Sequence, residues 1–288
     1  IAQWPPSFQC AFWIIVSGSL HSLQLGCVKV IAHQIDVFEI VFFRALFSLL
    51  FVAPLVIGNA RVLLRPVRWG ICLLCSALAF VANVCFYLAA KHLPLADITA
   101  IHFIRPIFAA ILASIILGEL IRGSRAIAII AGVIGAIIII RPGLVELNVG
   151  VLFVLGVVVV QSWNPINRRL LAQSEHPDTI AVWNPLVILP LAFLPTLYAW
   201  STPSIVEFLW LAGIGLLEMM NQRVLARAYF QGETVVVMGL HYTRLPIAAL
   251  IGFLMFGEVP EVWIWIGGAV IAAAAIYLAK REAAITKS

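Results

Sequence analysis

His102-Phe103-Ile104-Arg105 and His241-Tyr242-Thr243-Arg244 repeat one four-residue pattern, histidine–aromatic–x–arginine, 139 positions apart. Both copies lie inside long apolar segments, where a guanidinium is costly unless it is paired or functional. A proline follows each within two residues (Pro106, Pro246), and a Gly-Glu pair follows each at the same distance, so that Arg105 to Glu119 and Arg244 to Glu258 both span 14 positions. One buried arginine can be an accident. Two in register indicate a duplicated chain whose polar groups are part of its design.

Composition fixes the solvent. Of 288 residues, 63% are hydrophobic and 11% charged, and the mean hydropathy is +1.09. A soluble domain carries about 25% charge. Apolar runs of about 20 residues match a hydrocarbon core of about 30 Å, and lipid leaves no partner for backbone polar groups, so the runs should be helices. The alternation of an outer-membrane barrel is absent. The net charge of +5 sits in short loops and reads as a topology signal, so no nucleic-acid partner is expected. Cys10, Cys27, Cys72, Cys75 and Cys85 all fall in apolar segments; Cys72-Leu-Leu-Cys75 has no second pair, so no metal is expected. The first apolar run is read as a span rather than a signal peptide.

Charges, prolines and glycines punctuate the chain into ten segments, roughly 8–30, 37–57, 69–90, 95–117, 125–140, 150–170, 179–199, 205–229, 233–256 and 261–279. With the N-terminus inside, inner loops and the tail hold Arg61, Arg65, Arg68, Arg122, Arg125, Arg168, Arg169, Lys280, Arg281 and Lys287, against Lys91 and Arg141 outside. The bias predicts cytoplasmic N- and C-termini. The expected fold is an all-α integral membrane protein of ten transmembrane helices, arranged as two inverted five-helix repeats over residues 1–142 and 143–288. Five helices per half reverse the entry side, so the two motifs run antiparallel. At 1.5 Å per residue both arginines fall near the bilayer midplane, as expected of an alternating-access carrier.

The paired Pro-to-Gly-Glu helices (Pro106 to Gly118-Glu119, Pro246 to Gly257-Glu258) and the glycine-rich helices after them (Gly132, Gly135; Gly267, Gly268) resemble the EamA-like, ten-helix branch of the drug/metabolite transporter superfamily along essentially the whole chain. Phe38-Glu39-Ile40-Val41-Phe42-Phe43-Arg44 and Ser201-Thr202-Pro203-Ser204 look most like its S-adenosylmethionine uptake branch. The resemblance implies a bacterial cytoplasmic-membrane transporter with helices one, three, four, six, eight and nine around a cavity. It does not select a cargo, because a fold hosts many functions.

Ionisable residues inside a membrane are functional candidates. His and Arg at i and i+3 share a helix face, so His102 with Arg105, and His241 and Tyr242 with Arg244, can hold a substrate carboxylate or phosphate. The alternative is internal pairing of either arginine with Glu39 or Glu218. Pro106 and Pro246 each remove a backbone donor, giving a hinge or a fixed bend. Glu218, within the polar run Glu218, Asn221, Gln222, Arg223, can couple transport to protons or pair with Arg244; no other cofactor is expected. Glu39, read as near the outer interface and solvent, and Arg44 are taken as structural, with Glu119 and Glu258. Trp163 and Asn164 can stack on and hydrogen-bond a heteroaromatic group, with His21 opposite them by repeat alignment. Trp183 suits an interfacial anchor. The stripes Ala128, Gly132, Gly135 and Gly268, Ala272, Ala275 allow close helix packing, within a monomer or in a homodimer.

These features predict a secondary transporter of a small organic metabolite, amino-acid-like or S-adenosylmethionine-like. The alternatives are an exporter of drugs or other amphipathic compounds and a lipid-linked flippase. An intramembrane enzyme is disfavoured, because neither HExxH nor GxSxG is present.

Overall fold

The computed structural model describes residues 6–63, 66–105, 107–108, 124–140, 148–163, 177–198, 200–231 and 243–286. Among these the secondary structure is helical, with ten helices and no strand: α1 (Pro6–Ile31), α2 (Val37–Leu63), α3 (Trp69–His92), α4 (Leu95–His102), α5 (Ser124–Ile140), α6 (Val149–Gln161), α7 (Pro177–Tyr198), α8 (Ile205–Gln231), α9 (Arg244–Phe256) and α10 (Val262–Thr286). Each expected segment contains one helix. Pro106, Glu119, Asn164, His241 and Tyr242, all singled out above, lie outside the described residues.

Short polar residues start the helices where the apolar runs begin. The Asp36 carboxylate accepts the Phe38 N–H at 2.8 Å ahead of α2. Asn148 caps α6 by accepting from Gly150 N at 2.8 Å, and its amide donates to the His92 carbonyl at 3.0 Å, joining the end of α3 to the start of α6. Ser204 and Glu207 form a reciprocal capping box at the start of α8. Gly257 ends α9 with φ at 68°, the left-handed position that favours glycine. The following Glu258 N–H then donates to the Gly252 carbonyl at 3.2 Å.

The surface is apolar and the interior holds the polar groups. Leu254 is 71% exposed, Leu209 66% and Leu194 65%, whereas Glu39 and Ser17 are fully buried and Arg44 nearly so. A soluble protein seldom shows broad apolar faces; a protein solvated by lipid does. Among the described residues three helical stretches are long and apolar enough to cross a membrane: Phe12–Ile31, Val37–Pro54 and Trp69–His92. The other helices are shorter in their described parts or, in α8, more polar. α8 has the length but carries Glu207, Glu218, Arg223 and Arg227, which dilute its hydropathy. The described parts of α4, α6 and α9 span only 8, 13 and 13 residues.

Neighbour relations tie the first five helices to the last five. α1 packs on α8 and α3 on α6; α1 touches α9 and α4 touches α6; α2 meets α8 and α3 meets α7; α2 pairs with α7, α4 with α9 and α5 with α10. With little hydrophobic drive between helices in lipid, close packing must hold such contacts. The small-residue stripes serve this inside the chain. A Cβ on Gly267 would lie 2.7 Å from the Gly135 carbonyl, so the backbones of α5 and α10 approach where glycine alone fits.

Candidate functional site

The first His-aromatic-x-Arg motif occupies a break in its helix. α4 ends at His102, and the next two amides make tight three-residue bonds, Phe103 N to the Ala100 carbonyl at 3.2 Å and Ile104 N to that of Ile101 at 3.1 Å. Helical backbone resumes at Arg105. The segment expected as one helix over 95–117 is thus interrupted at the motif, and proline at position 106 has no N–H to give to the His102 carbonyl. In the second copy α9 begins at Arg244, which puts Pro246 in its first turn, where a missing donor costs little.

The tight turn and the start of α9 face one cavity. Its described lining is His21 and Ser22 from α1, Phe86 from α3, Thr99 and His102 from α4, Phe103 and Arg105 from the turn, and Arg244 from α9. The Phe86 ring stands edge-on between two imidazoles, with centroids 5.8 Å from His21 and 5.1 Å from His102. The Gln161 Oε1 atom at the end of α6 accepts from Arg105 Nη1 at 3.2 Å and lies 3.2 Å from His102 Nε2. Guanidinium can only donate, so this atom is the amide oxygen and His102 must present Nε2–H to it. Arg244 Nη2 donates to Ser17 Oγ at 3.2 Å, and Ser17 passes its own proton to Asn221 Oδ1 at 2.6 Å. Gly18 makes room for the arginine stem, since a Cβ there would come within 2.9 Å of Arg244 Cγ. The cavity holds about 40 Å³ of water-accessible space, room for a few waters.

Behind this cavity lies a charge pair. Arg44 Nη1 on α2 is 3.0 Å from Glu218 Oε1 on α8. The same carboxylate accepts from Gln222 at 3.0 Å and, through its other oxygen, from Gln24 at 3.0 Å. The Arg44 guanidinium also stands 6.0 Å from the Tyr87 ring centre. Glu218 is therefore engaged with Arg44, a cation that the sequence had not matched to it. The reason is helix adjacency, as α2 packs on α8 beside it. Glu39, expected near solvent, is buried and takes hydrogen bonds from the N–H and hydroxyl of Ser201 at 3.2 and 2.9 Å. Its carboxylate fastens α2 to the strand of chain leading into α8.

A second charge cluster explains the Gly-Glu pair that ends α9. The Glu258 carboxylate meets the Lys29 ammonium of α1 and accepts the Leu95 N–H of α4 at 3.0 Å. Lys29 also donates to the Leu93 carbonyl at 2.8 Å. Gly252 leaves space for this carboxylate, as a Cβ there would sit 2.7 Å from Oε2.

Of the expected site residues, His21, His102, Arg105 and Arg244 share the cavity, and Glu218 stands one layer behind it. Trp163 does not reach the described lining; it follows the end of α6 and is 39% exposed. Sequence reasoning missed Gln161, Phe86, Thr99 and Gly18, and took Phe103 only as the aromatic of the repeated motif. Gln161 carried a signal, as the polar end of the run Gly156-Val157-Val158-Val159-Val160-Gln161. Phe86 and Gly18 carried none, being ordinary residues in apolar helices.

An all-helical bundle with an apolar surface and buried cations around a cavity is the architecture of a polytopic membrane protein. Residues 9–141, just under half of the chain, match the EamA-like transporter family. It is 29% identical over 178 residues to a riboflavin transporter of Vibrio cholerae, covering 62% of this chain and 60% of that one. It is 24% identical over 274 residues to an S-adenosylmethionine uptake transporter of Rickettsia prowazekii, covering 94% and 92%. A pseudopaline exporter of Pseudomonas aeruginosa is 26% identical over 272 residues, covering 93% and 95%. One solved crystal structure superposes with a TM-score of 0.66 at 15% identity, covering 96% of this chain and 98% of its own, a likeness of fold.

Proposed function

We propose that this chain is a secondary transporter that carries a small organic metabolite, amino-acid-like or S-adenosylmethionine-like, across the bacterial cytoplasmic membrane by alternating access. The observation that carries the reading is the convergence of His21, His102, Arg105 and Arg244, from three helices and a turn, on one cavity inside an otherwise apolar bundle. Ionisable groups at such a depth mark a cargo path. Near-full alignment with uptake transporters for S-adenosylmethionine supports the cargo class. A similar exporter leaves the direction of transport to the gradient.

In this reading residues 1–142 and 143–288 are inverted repeats with both termini cytoplasmic. The neighbour relations support the exchange of halves: α1–α8 answers α6–α3, α1–α9 answers α6–α4, and α2–α8 answers α7–α3. In alternating access each half tilts on the other to load and release cargo at the cavity. The engagement of Glu218 with Arg44 favours a structural role for that acid over proton coupling.

The test is flux into proteoliposomes containing the purified chain. Arg105→Ala and Arg244→Ala should each abolish uptake while the folded protein remains in the membrane. Normal flux in both variants would refute the assignment.

A further inference from the structure

Four helices and the turn after α4 supply the described cavity lining: α1 through His21 and Ser22, α3 through Phe86, α4 through Thr99 and His102, and α9 through Arg244. The same four helices meet again at one end of the bundle, around Lys29 and Glu258. Lys29 is on α1, Leu93 caps the end of α3, Leu95 opens α4, and Glu258 follows the Gly257 turn that closes α9. The Lys29 ammonium meets the Glu258 carboxylate and donates to the Leu93 carbonyl at 2.8 Å, while the carboxylate accepts the Leu95 N–H at 3.0 Å. The charges suit the ends they hold, since the carbonyl end of α3 takes the cation and the N–H end of α4 takes the anion. Beneath the pair α1 and α9 run close together, as a Cβ on Gly26 would lie 2.7 Å from Met255 Sδ. At 1.5 Å per residue, the cluster stands about 6 Å along α4 from Thr99 and about 12 Å along α1 from His21.

Resting on the transport reading above, we propose that the Lys29–Glu258 cluster is a gate: intact, it seals one end of the cavity, and it breaks when the cavity opens to that side of the membrane. Alternating access parts the cavity helices at one end at a time. Here α1 cannot leave α9 without parting Lys29 from Glu258, nor can α1 leave α3, or α9 leave α4, without losing the bonds to Leu93 and Leu95. The pair is placed to separate at modest cost. Its side chains are 16% and 15% exposed, so water can take over both charges as they part. Arg44, in the deeper pair with Glu218, is 4% exposed and lacks that option. Gly252 and Gly257 are positioning residues in this scheme: one leaves room for the carboxylate, and the other turns the chain that delivers it. Because α1 ends at the gate, cytoplasmic termini put the gate on the outer face.

The experiment reads the access of a membrane-impermeant maleimide to Thr99→Cys, a cavity position, in the full chain with its own cysteines kept as the background. Intact cells expose the outer face and inside-out vesicles the inner one. Lys29→Met/Glu258→Met removes the gate and leaves neither charge without the other. In it, labelling from outside should quicken by roughly tenfold or more, as a minor state becomes the major one, and labelling from inside should slow. Lys29→Arg, which can still donate to both acceptors, should label as the intact gate does. So should Glu207→Gln, which removes a charge at the start of α8. If the double variant fails to reach the membrane, Lys29→Gln takes its place; it keeps a donor for Leu93 without a charge for Glu258, and outside labelling should again rise. An unchanged outside rate, equal acceleration from both faces, or a like rise in Glu207→Gln overturns the proposal. Flux of S-adenosylmethionine, riboflavin and L-phenylalanine into proteoliposomes keeps the two readings apart. One-sided labelling without flux upholds the gate and counts against transport. Flux with labelling that ignores the cluster upholds transport and refutes the gate.

Discussion

Replacing Gly267 by alanine should push α5 and α10 apart. The new Cβ would meet the Gly135 carbonyl oxygen at 2.7 Å, about 0.7 Å inside the 3.4 Å where ordinary contact begins, and Ile139 Cγ1 at 2.5 Å. The isoleucine can turn; a carbonyl held in a helix cannot. The helices must therefore separate locally by a distance of that order, and a gap of 0.5–1 Å removes roughly a quarter to a half of each dispersion contact along the seam. Overpacking of this kind costs about 1–3 kcal/mol, while alanine returns up to about 1 kcal/mol of helix propensity. The net is a loss of about 1–2 kcal/mol, or roughly 2–8 °C in melting midpoint at about 2–4 °C per kcal/mol. Tryptophan fluorescence during thermal unfolding in one fixed detergent measures it. Gly213→Ala is the control, because nothing lies within 4 Å of its added methyl; it should be neutral or slightly stabilising. If Gly267→Ala unfolds at or above the midpoint of Gly213→Ala, the close approach of the two backbones is not what holds this seam.

Two further outcomes follow from the charge pairs. Lys29→Met leaves the Glu258 carboxylate, only 15% exposed, without its ammonium. Loss of one partner of a buried pair costs about 3–5 kcal/mol, and this one, still holding the Leu95 N–H, should cost about 2–3 kcal/mol; a Lys29→Met/Glu258→Met double variant should recover part of the loss in the same unfolding assay. Glu218→Gln keeps a hydrogen-bonding amide but strips Arg44 of its counter-charge, so the melting midpoint should fall while any response of flux to an imposed pH gradient stays as in the wild type. Loss of that response in a folded variant would assign Glu218 to proton coupling after all.

The helices were legible because lipid makes the code coarse: apolar runs between Asp36, Asn148 and Ser204 had to be helical, and those short polar residues do stand at the starts of α2, α6 and α8. The arginines were legible for the same reason, since charge in an apolar run is conspicuous. Partners were not. Which cation takes Glu218 depends on α2 lying beside α8, a fact of tertiary packing that no spacing along the chain encodes. Likewise, the resemblance that puts the sixth helix at the cavity marked Trp163 as a lining residue, but α6 ends at Gln161, and past that point the direction of a side chain no longer follows the helix. The Gly-Glu pair was noticed as a repeat, yet its meaning came only from the left-handed turn at Gly257 that delivers Glu258 to Lys29 and Leu95.

The oxygen of Gln161 has two lone pairs, and His102 and Arg105 face both of them. One amide oxygen on α6 thus fixes the aim of both polar side chains of the motif, so a shift of α6 against α4 redirects the imidazole and the guanidinium together.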